Sequence, residues 1–359
     1  MTKKVAFCIT CMNRLSHIQE TLVKNIDDNF NVNDVEFVLL DYNSSDNLEN
    51  WIKTLIPLLD LKILSYYRNL TPEDYQRSHS RNMAFRLADA EIVCNLDADN
   101  FLGKGFADYI IDEFSSTQDN LFITSSLMQR DSFGRLCVKK NNFMKIGGYN
   151  EDLSGYGVED IDLYSRFLAF GLEHRPIENS SFESTIRHSN LERVSQESQL
   201  KNTYALYVSY VSPYLINFII INKDHTCEFG SLKNNLLCNF NQNKRSTNII
   251  DSHMDKDVRV LLDGKITEWK WDDINNNICI ILDGESKFFD KNSSTVFYKE
   301  ELYYKILNPE LIATFFIHLS DATNYEKIRS VHDCIRNRNG FGKGVVYKNF
   351  NYKKEIILK

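Results

Sequence analysis

The chain has 359 residues, with 42 Lys and Arg against 49 Asp and Glu, giving a formal net charge of −7. Its length suggests two domains, and a composition 43% hydrophobic and 25% charged excludes a disordered or fibrous chain. The acidic balance speaks against a general nucleic-acid binder, because phosphate contacts need Lys and Arg in excess.

Val5 to Thr10 reads as a first strand. Ser16-His17-Ile18-Gln19 has capping-box spacing and opens a helix through Ile26. Val35-Glu36-Phe37-Val38-Leu39-Leu40 is a near-continuous apolar run, as in a buried parallel strand, and Leu61 to Ser65 is a third. A helix over Asp74 to Ala88 leads into a fourth strand, Glu91 to Leu96. This alternation predicts an α/β domain with a mainly parallel sheet. Beyond about Ser189 the pattern changes. Leu191 to Tyr210 and Asn308 to Arg336 read as helical, while Asp263-Gly264 and Asp283-Gly284 suggest hairpins. A second, α+β or helical unit is expected there.

The start lacks the apolar core and cleavage site of a secretory signal. The apolar runs Tyr214 to Ile221 and Leu311 to Leu319 fall far short of the ~20 residues that span a bilayer. A cytoplasmic protein with reduced cysteines is expected. Cys8-Ile9-Thr10-Cys11 has the spacing of a redox pair, with packing of both thiols as the alternative. Residues 327–359 hold nine Lys/Arg against Asp333 and Glu355, with Phe341, Tyr347, Phe350 and Tyr352 among them. Such a tail suits an anionic lipid surface or a polyanionic acceptor, or is simply a solvated end.

Ligands of open α/β sheets bind beyond the carboxyl ends of the strands. Asp41 follows the second strand with Asn43, Ser44 and Asp46, and Asp97-Ala98-Asp99 follows the fourth. Two acids two apart in extended chain project from one face and can reach a divalent cation, although a lone D-x-D is more often a pair of turn residues. Glu159, Asp160 and Asp162 open a helix after the pliable Gly155-Tyr156-Gly157, where the helix dipole favours acids. A carboxylate at that place can accept a proton from an attacking hydroxyl.

Taken in order, these motifs resemble the catalytic domain of GT-A-fold glycosyltransferases, in particular the inverting family-2 group, from Val5 to His188. Ile9-Thr10-Cys11-Met12-Asn13-Arg14 is similar to its opening segment, Asp41 to Asp46 to its D-x-x-S-x-D pattern, and Ser80-Arg81-Asn82 to its (S/A)-R-N helix start. Asp97-Ala98-Asp99 resembles its metal-binding D-x-D. Gly147-Gly148-Tyr149 to Leu163 is similar to a segment of chondroitin polymerases, polypeptide N-acetylgalactosaminyltransferases and β-1,4-galactosyltransferases.

The resemblance implies a GT-A catalytic domain over residues 1–205, with 206–359 an accessory C-terminal domain. It implies that Thr10 and Asp41 contact a uridine base, that Arg81 lies near the diphosphate and Asp97 near the ribose, and that Arg14, Tyr156 and Gly157 complete the donor site. Asp99 and His188 would hold Mn2+ or Mg2+. Asp160 would be the general base, with Glu159 holding a sugar. The implied reaction is inverting transfer of a hexose or N-acetylhexosamine from a UDP-sugar to a glycan or lipid-linked glycan, as in capsule or lipopolysaccharide synthesis. Peripheral contact with the inner membrane face would come through the basic tail. A sugar nucleotidyltransferase and a non-catalytic nucleotide- or glycan-binding protein are the alternatives. Neither a P-loop nor a dinucleotide-binding glycine fingerprint is present in the sequence, so ATP and NAD are not implied.

Overall fold

The structure, a computed structural model, describes residues 3–31, 34–116, 120–126, 132–212, 215–234, 258–266, 269–272, 277–282, 285–290, 292–329 and 333–359. It divides into two compact units. The first joins Met1–Ser154, Val158–His188 and His332–Lys359; the second joins Gly155–Gly157 and Ser189–Val331. The division departs from a single boundary near residue 205, because the end of the chain returns to the first unit.

The first unit begins β1 (Lys3–Cys11), α1 (Leu15–Asn29), β2 (Val35–Tyr42), two short helices α2 (Leu48–Ile52) and α3 (Ile56–Asp60), then β3 (Leu64–Asn69). Next come α4 (Arg77–Leu87), β4 (Ala90–Asn95), β5 (Asn100–Phe101), α5 (Phe106–Ser116), β6 (Leu121–Thr124), β7 (Leu136–Lys139) and α6 (Lys140–Lys145). It continues with α7 (Glu159–Ala169), β8 (Glu173–Pro176) and β9 (Ser184–Thr185). Strands β3, β2, β1 and β4 run parallel and adjacent, with β7 antiparallel to β4. Alternate residues Val5, Phe7 and Ile9 of β1 point to one face of the sheet, where they pack in one apolar cluster with Ile18, Leu22 and Ile26 of α1 and Phe106 and Ile110 of α5. Each such fully buried side chain stabilises the fold by about 1.5–3 kcal/mol.

Helix α1 starts at Leu15 and not on a Ser16 capping box. Its N-cap is Arg14, and the Leu15 N–H is met instead by the Asp46 carboxylate at 2.9 Å. The opening turn of α1 is thereby tied to the loop after β2.

The second unit holds α8 (Asn190–Val194), α9 (Ser198–Asn202), β10 (Thr203–Ser212), β11 (Leu215–Asn222), β12 (Cys227–Asn234), β13 (Val258–Ile266), β14 (Trp269–Asp272), β15 (Asn277–Leu282), β16 (Glu285–Asp290), β17 (Thr295–Tyr298), β18 (Glu301–Lys305) and α10 (Pro309–Arg329). The expected helix over Leu191 to Tyr210 is two short helices followed by a strand, since Thr203 onward is rich in β-branched and aromatic residues. Asp263-Gly264 lies inside β13 at a register shift against β12 and is no hairpin turn. Asp283-Gly284 lies outside the described residues, between the antiparallel β15 and β16. Leu206, Phe218 and Ile220 of the sheet pack against Phe315, Phe316 and Leu319 of α10.

The basic tail is folded. It forms β19 (Gly344–Lys348), antiparallel to β3, and β20 (Glu355–Leu358), antiparallel to β19, so it extends the main sheet at its β3 edge. Among the described residues no helix is long and apolar enough to cross a membrane.

Candidate active site

Three strand-end segments of the first unit lie side by side beyond the adjacent parallel strands β2, β1 and β4. The loops after β1 and β2 are laced together. Asn13, at φ +55°, accepts from the backbone N–H of Ser45 and Asp46 through its Oδ1, at 2.7 and 3.2 Å. Asp41 is fully buried at the end of β2. One oxygen accepts from the Tyr66 hydroxyl at 2.6 Å and the other from Ser44 N–H at 2.7 Å. Both oxygens are engaged inside the protein, so Asp41 shapes the turn. Thr10, at the end of β1, has its hydroxyl 2.7 Å from that of Tyr75. Arg14 caps α1 through its backbone carbonyl, which accepts from His17 and Ile18.

The charged centre is organised by Arg81 on α4. Its guanidinium is 3.0 Å from Asp97 and 3.0 Å from Asp160, and 3.5 Å from Glu159, with only 5% of the side chain exposed. Arg77, one turn earlier on the same face, is 3.4 Å from Glu159. Burial drives Asp160 up to about 7, against the pull of Arg81 and with the push of Glu159 and Asp97. Burial also works to raise Asp97, but there the Arg81 charge and the Asn95 hydrogen bond win and hold the carboxyl below its ordinary range. Two carboxylates on one arginine are thus driven apart in acidity, the pattern of a site that assigns acid and base roles by environment.

Helix α7 delivers Glu159 and Asp160 from a strained start. Its N-cap Val158 has φ +75°, an outlier for a β-branched residue. The third acid, Asp162, is structural: it accepts from Arg166 at 2.8 Å, and Arg166 in turn donates to the Gly148 carbonyl.

Asp99 and His188 form a second focus. Strands β5 and β9 pair just beyond them, and His188 Nε2 lies 2.6 Å from Asp99 Oδ2. A carboxylate and an imidazole converging so closely form a donor pair that fits a divalent cation in place of the shared proton. Among the described residues no group of three or more His, Cys, Asp or Glu forms a metal cage, so a cation here would need oxygens from water or substrate.

Tyr156 and Gly157 lie in the second unit. The Tyr156 hydroxyl accepts from Arg193 at 2.6 Å, and the Gly157 carbonyl accepts from Asn324 at 3.0 Å. The redox reading of Cys8 and Cys11 fails. They are three apart on β1 and so on opposite faces, both thiols are free and buried, and burial pushes both well above the thiolate range.

Sequence reasoning missed Gly134. A Cβ there would fall 2.8 Å from Arg81 Nη2, 3.0 Å from Asp97 Oδ2 and 3.3 Å from Asp160 Oδ2, so any side chain would press on the ends of all three. Nothing in the local sequence marks it. Arg77 and Asn95, also missed, were readable: one is four residues before Arg81 and the other two before Asp97.

Residues 6–154 match the family model described as glycosyl transferase family 2, and residues 129–200 match that of the N-terminal domain of galactosyltransferase. The chain therefore carries a segment similar to family-2 glycosyl transferases, over residues 6–154. The two matches overlap over the segment that carries Gly134 and Tyr149. No curated protein matches the chain at a significant level. Among solved structures, the Pyrobaculum calidifontis mannosyltransferase PcManGT in complex with GDP-Man and Mn2+ is 15% identical, with 55% of this chain and 62% of that chain covered and a TM-score of 0.45. TarS 1-349 of S. aureus in complex with UDP is 17% identical over 53% of this chain and 62% of that one, at a TM-score of 0.42. The catalytic domain of Drosophila beta1,4galactosyltransferase 7 in complex with xylobiose is 13% identical over 55% and 75%, at 0.38. The chain therefore spans less than two thirds of the first two.

Proposed function

We propose that this glycosyltransferase is metal-dependent and inverting, and that it moves a hexose or N-acetylhexosamine from a UDP-sugar to a hydroxyl of a glycan acceptor. The observation that carries the reading is Asp160. It is a buried carboxylate pushed up to about 7 and set on Arg81 beside Asp97. A group of that basicity can take a proton from an alcohol as the alcohol attacks, near neutral pH.

In the proposed reaction the acceptor oxygen bonds to the anomeric carbon while the bond from that carbon to the diphosphate oxygen breaks. The hydroxyl proton goes to Asp160 and the electron pair leaves with UDP. One displacement inverts the centre, so an α-linked donor gives a β-linked product. Glu159 holds a sugar, Asp97 the ribose, and Arg81 screens the site's negative charge as the diphosphate is placed. Thr10 and the turn shaped by Asp41 border the uracil. Arg14 completes the donor set. Asp99 and His188 would hold Mn2+ or Mg2+, which supplies positive charge to the leaving diphosphate. A growing surface glycan is the proposed acceptor class.

The test is release of UDP from a panel of UDP-sugars, with and without Mn2+, by the native chain and by Asp99→Asn. Metal-dependent release from one donor, lost in Asp99→Asn, is expected. UDP binding without release from any donor, even with glycan acceptors added, would favour a binding protein instead.

A further inference from the structure

Helix α4 has two working faces. Arg77 and Arg81 turn to the carboxylates of the site. His79, Asn82 and Arg86, spaced three and four apart, line another face, and the C-terminal segment bonds to the first and last and packs against the backbone of the second. His79 Nε2 is 2.8 Å from the Lys343 carbonyl, while its Nδ1 is 2.6 Å from the Tyr42 hydroxyl. Gly342 lies so close to Asn82 that a Cβ would fall 2.8 Å from the Asn82 carbonyl carbon. Arg86 donates to the carbonyls of Phe341, Gly342 and Lys359.

The same segment grips the loop Gly147–Glu151. Asn337 Nδ2 donates to the carbonyls of Gly147 and Tyr149 at 2.7 and 2.6 Å, and its Oδ1 accepts from Glu151 N–H at 3.2 Å. The Glu151 carboxylate accepts from Gly342 N–H at 2.6 Å and from Asn82 Nδ2 at 2.8 Å. Any Cβ at Gly147 would fall 2.0 Å from the Arg336 carbonyl oxygen, and one at Gly148 would fall 2.7 Å from the Phe341 ring. The Gly-Gly pair is therefore what lets the returning chain lie against this loop. Between the two grips sits Tyr149, whose ring the Arg81 guanidinium approaches at 5.4 Å.

We infer that residues 333–359 are a positioning clamp for the transfer reaction, fixing Arg81 and through it Asp160 by way of His79, Asn82, Asn337 and Glu151. This rests on the proposed role of Asp160. The groups that face Asp160 are Arg81 and Arg77 from α4, Glu159 on its own helix, Asp97 beyond β4, and the phenols of Tyr149 and Tyr164. When the clamp loosens, Arg81 withdraws while burial and the neighbouring acids remain. Asp160 then becomes a stronger base that ionises only at higher pH.

The experiment uses the full chain with Asn337→Ala and, separately, Glu151→Ala. The control is Lys353→Ala, at an exposed position of the same segment. Steady-state kinetics from pH 6 to 9 should show kcat at pH 7 down roughly tenfold or more, donor KM little changed, and the acid limb moved to higher pH. The control should match the native chain. A fall in kcat that is equal at every pH, with the limb fixed, would mean a merely structural role and overturn the clamp, as would no change at all. A variant that does not fold is replaced by His79→Gln. Carbon-13 NMR titration of the Asp160 carboxyl, assigned through Asp160→Asn, needs no substrate. An upward shift in the clamp variants supports the inference and an unmoved titration overturns it, even if the native chain turns over no donor, which would instead count against the proposed function.

Discussion

Arg81→Gln is the sharpest perturbation the site offers. The guanidinium neutralises Asp97 and Asp160 at 3.0 Å each while almost fully buried, so its removal leaves uncompensated buried carboxylates. Breaking a buried pair in this way costs about 3–5 kcal/mol. At roughly 2–4 °C per kcal/mol for a unit of this size, the melting temperature should drop by about 10 °C. The loss should also depend on pH, and its sign follows from the carboxylates. In the native chain Asp160 titrates at about 7, above its ordinary 3.8, so the folded state keeps a proton through pH 4–7 that the unfolded chain has lost. Its contribution to stability therefore falls as pH rises through that window. Without Arg81 this window extends upward, and Asp97 loses the charge that holds it low. The variant should thus be damaged more at pH 8 than at pH 6, where a proton on Asp160 relieves the repulsion. Thermal and urea unfolding at the two pH values measure this. An equal loss at both, or a loss below about 1 kcal/mol, would refute the reasoning.

Three further outcomes are expected. The native kcat should rise with pH through about 7 as Asp160 ionises, and a pH–rate profile flat from 6 to 8 would remove it as the base. His188→Ala should raise the Mn2+ concentration needed for half-maximal activity by about tenfold or more, with the melting temperature of the metal-free protein little changed; a metal titration of UDP release checks this. Gly134→Ala should push Arg81 and Asp97 apart, lowering kcat at least about tenfold with a stability loss of about 1–3 kcal/mol, read by kinetics and unfolding in parallel.

What was legible in the sequence was local. Asp41, Asp97, Asp99 and Asp160 stand where strand ends and a helix start put them, and the buried run at Val35 to Leu40 could only be an inner strand. The departures come from partners distant in the chain. Ser16 has the spacing of a cap, but Asp46, thirty residues on, meets the first N–H of α1. Thr203 to Ser212 followed a helical reading because its period-two pattern appears only once β11 lies beside it. The tail had the charge of a lipid-binding end, yet its Val346, Tyr347 and Lys348 pair with Asn69, Arg68 and Tyr67 of β3, nearly three hundred residues earlier. Gly134 was invisible for the same reason, since its role is set by three side chains from three other segments.

Whether Asp160 is the base of a sugar transfer is read from the native chain beside Asp160→Asn. Titration calorimetry with UDP and steady-state UDP release from the donor that the panel selects are the two readouts. UDP affinity should stay within a few fold of native and turnover should fall by about 10²–10⁴. Turnover within a few fold of native in Asp160→Asn would contradict that role.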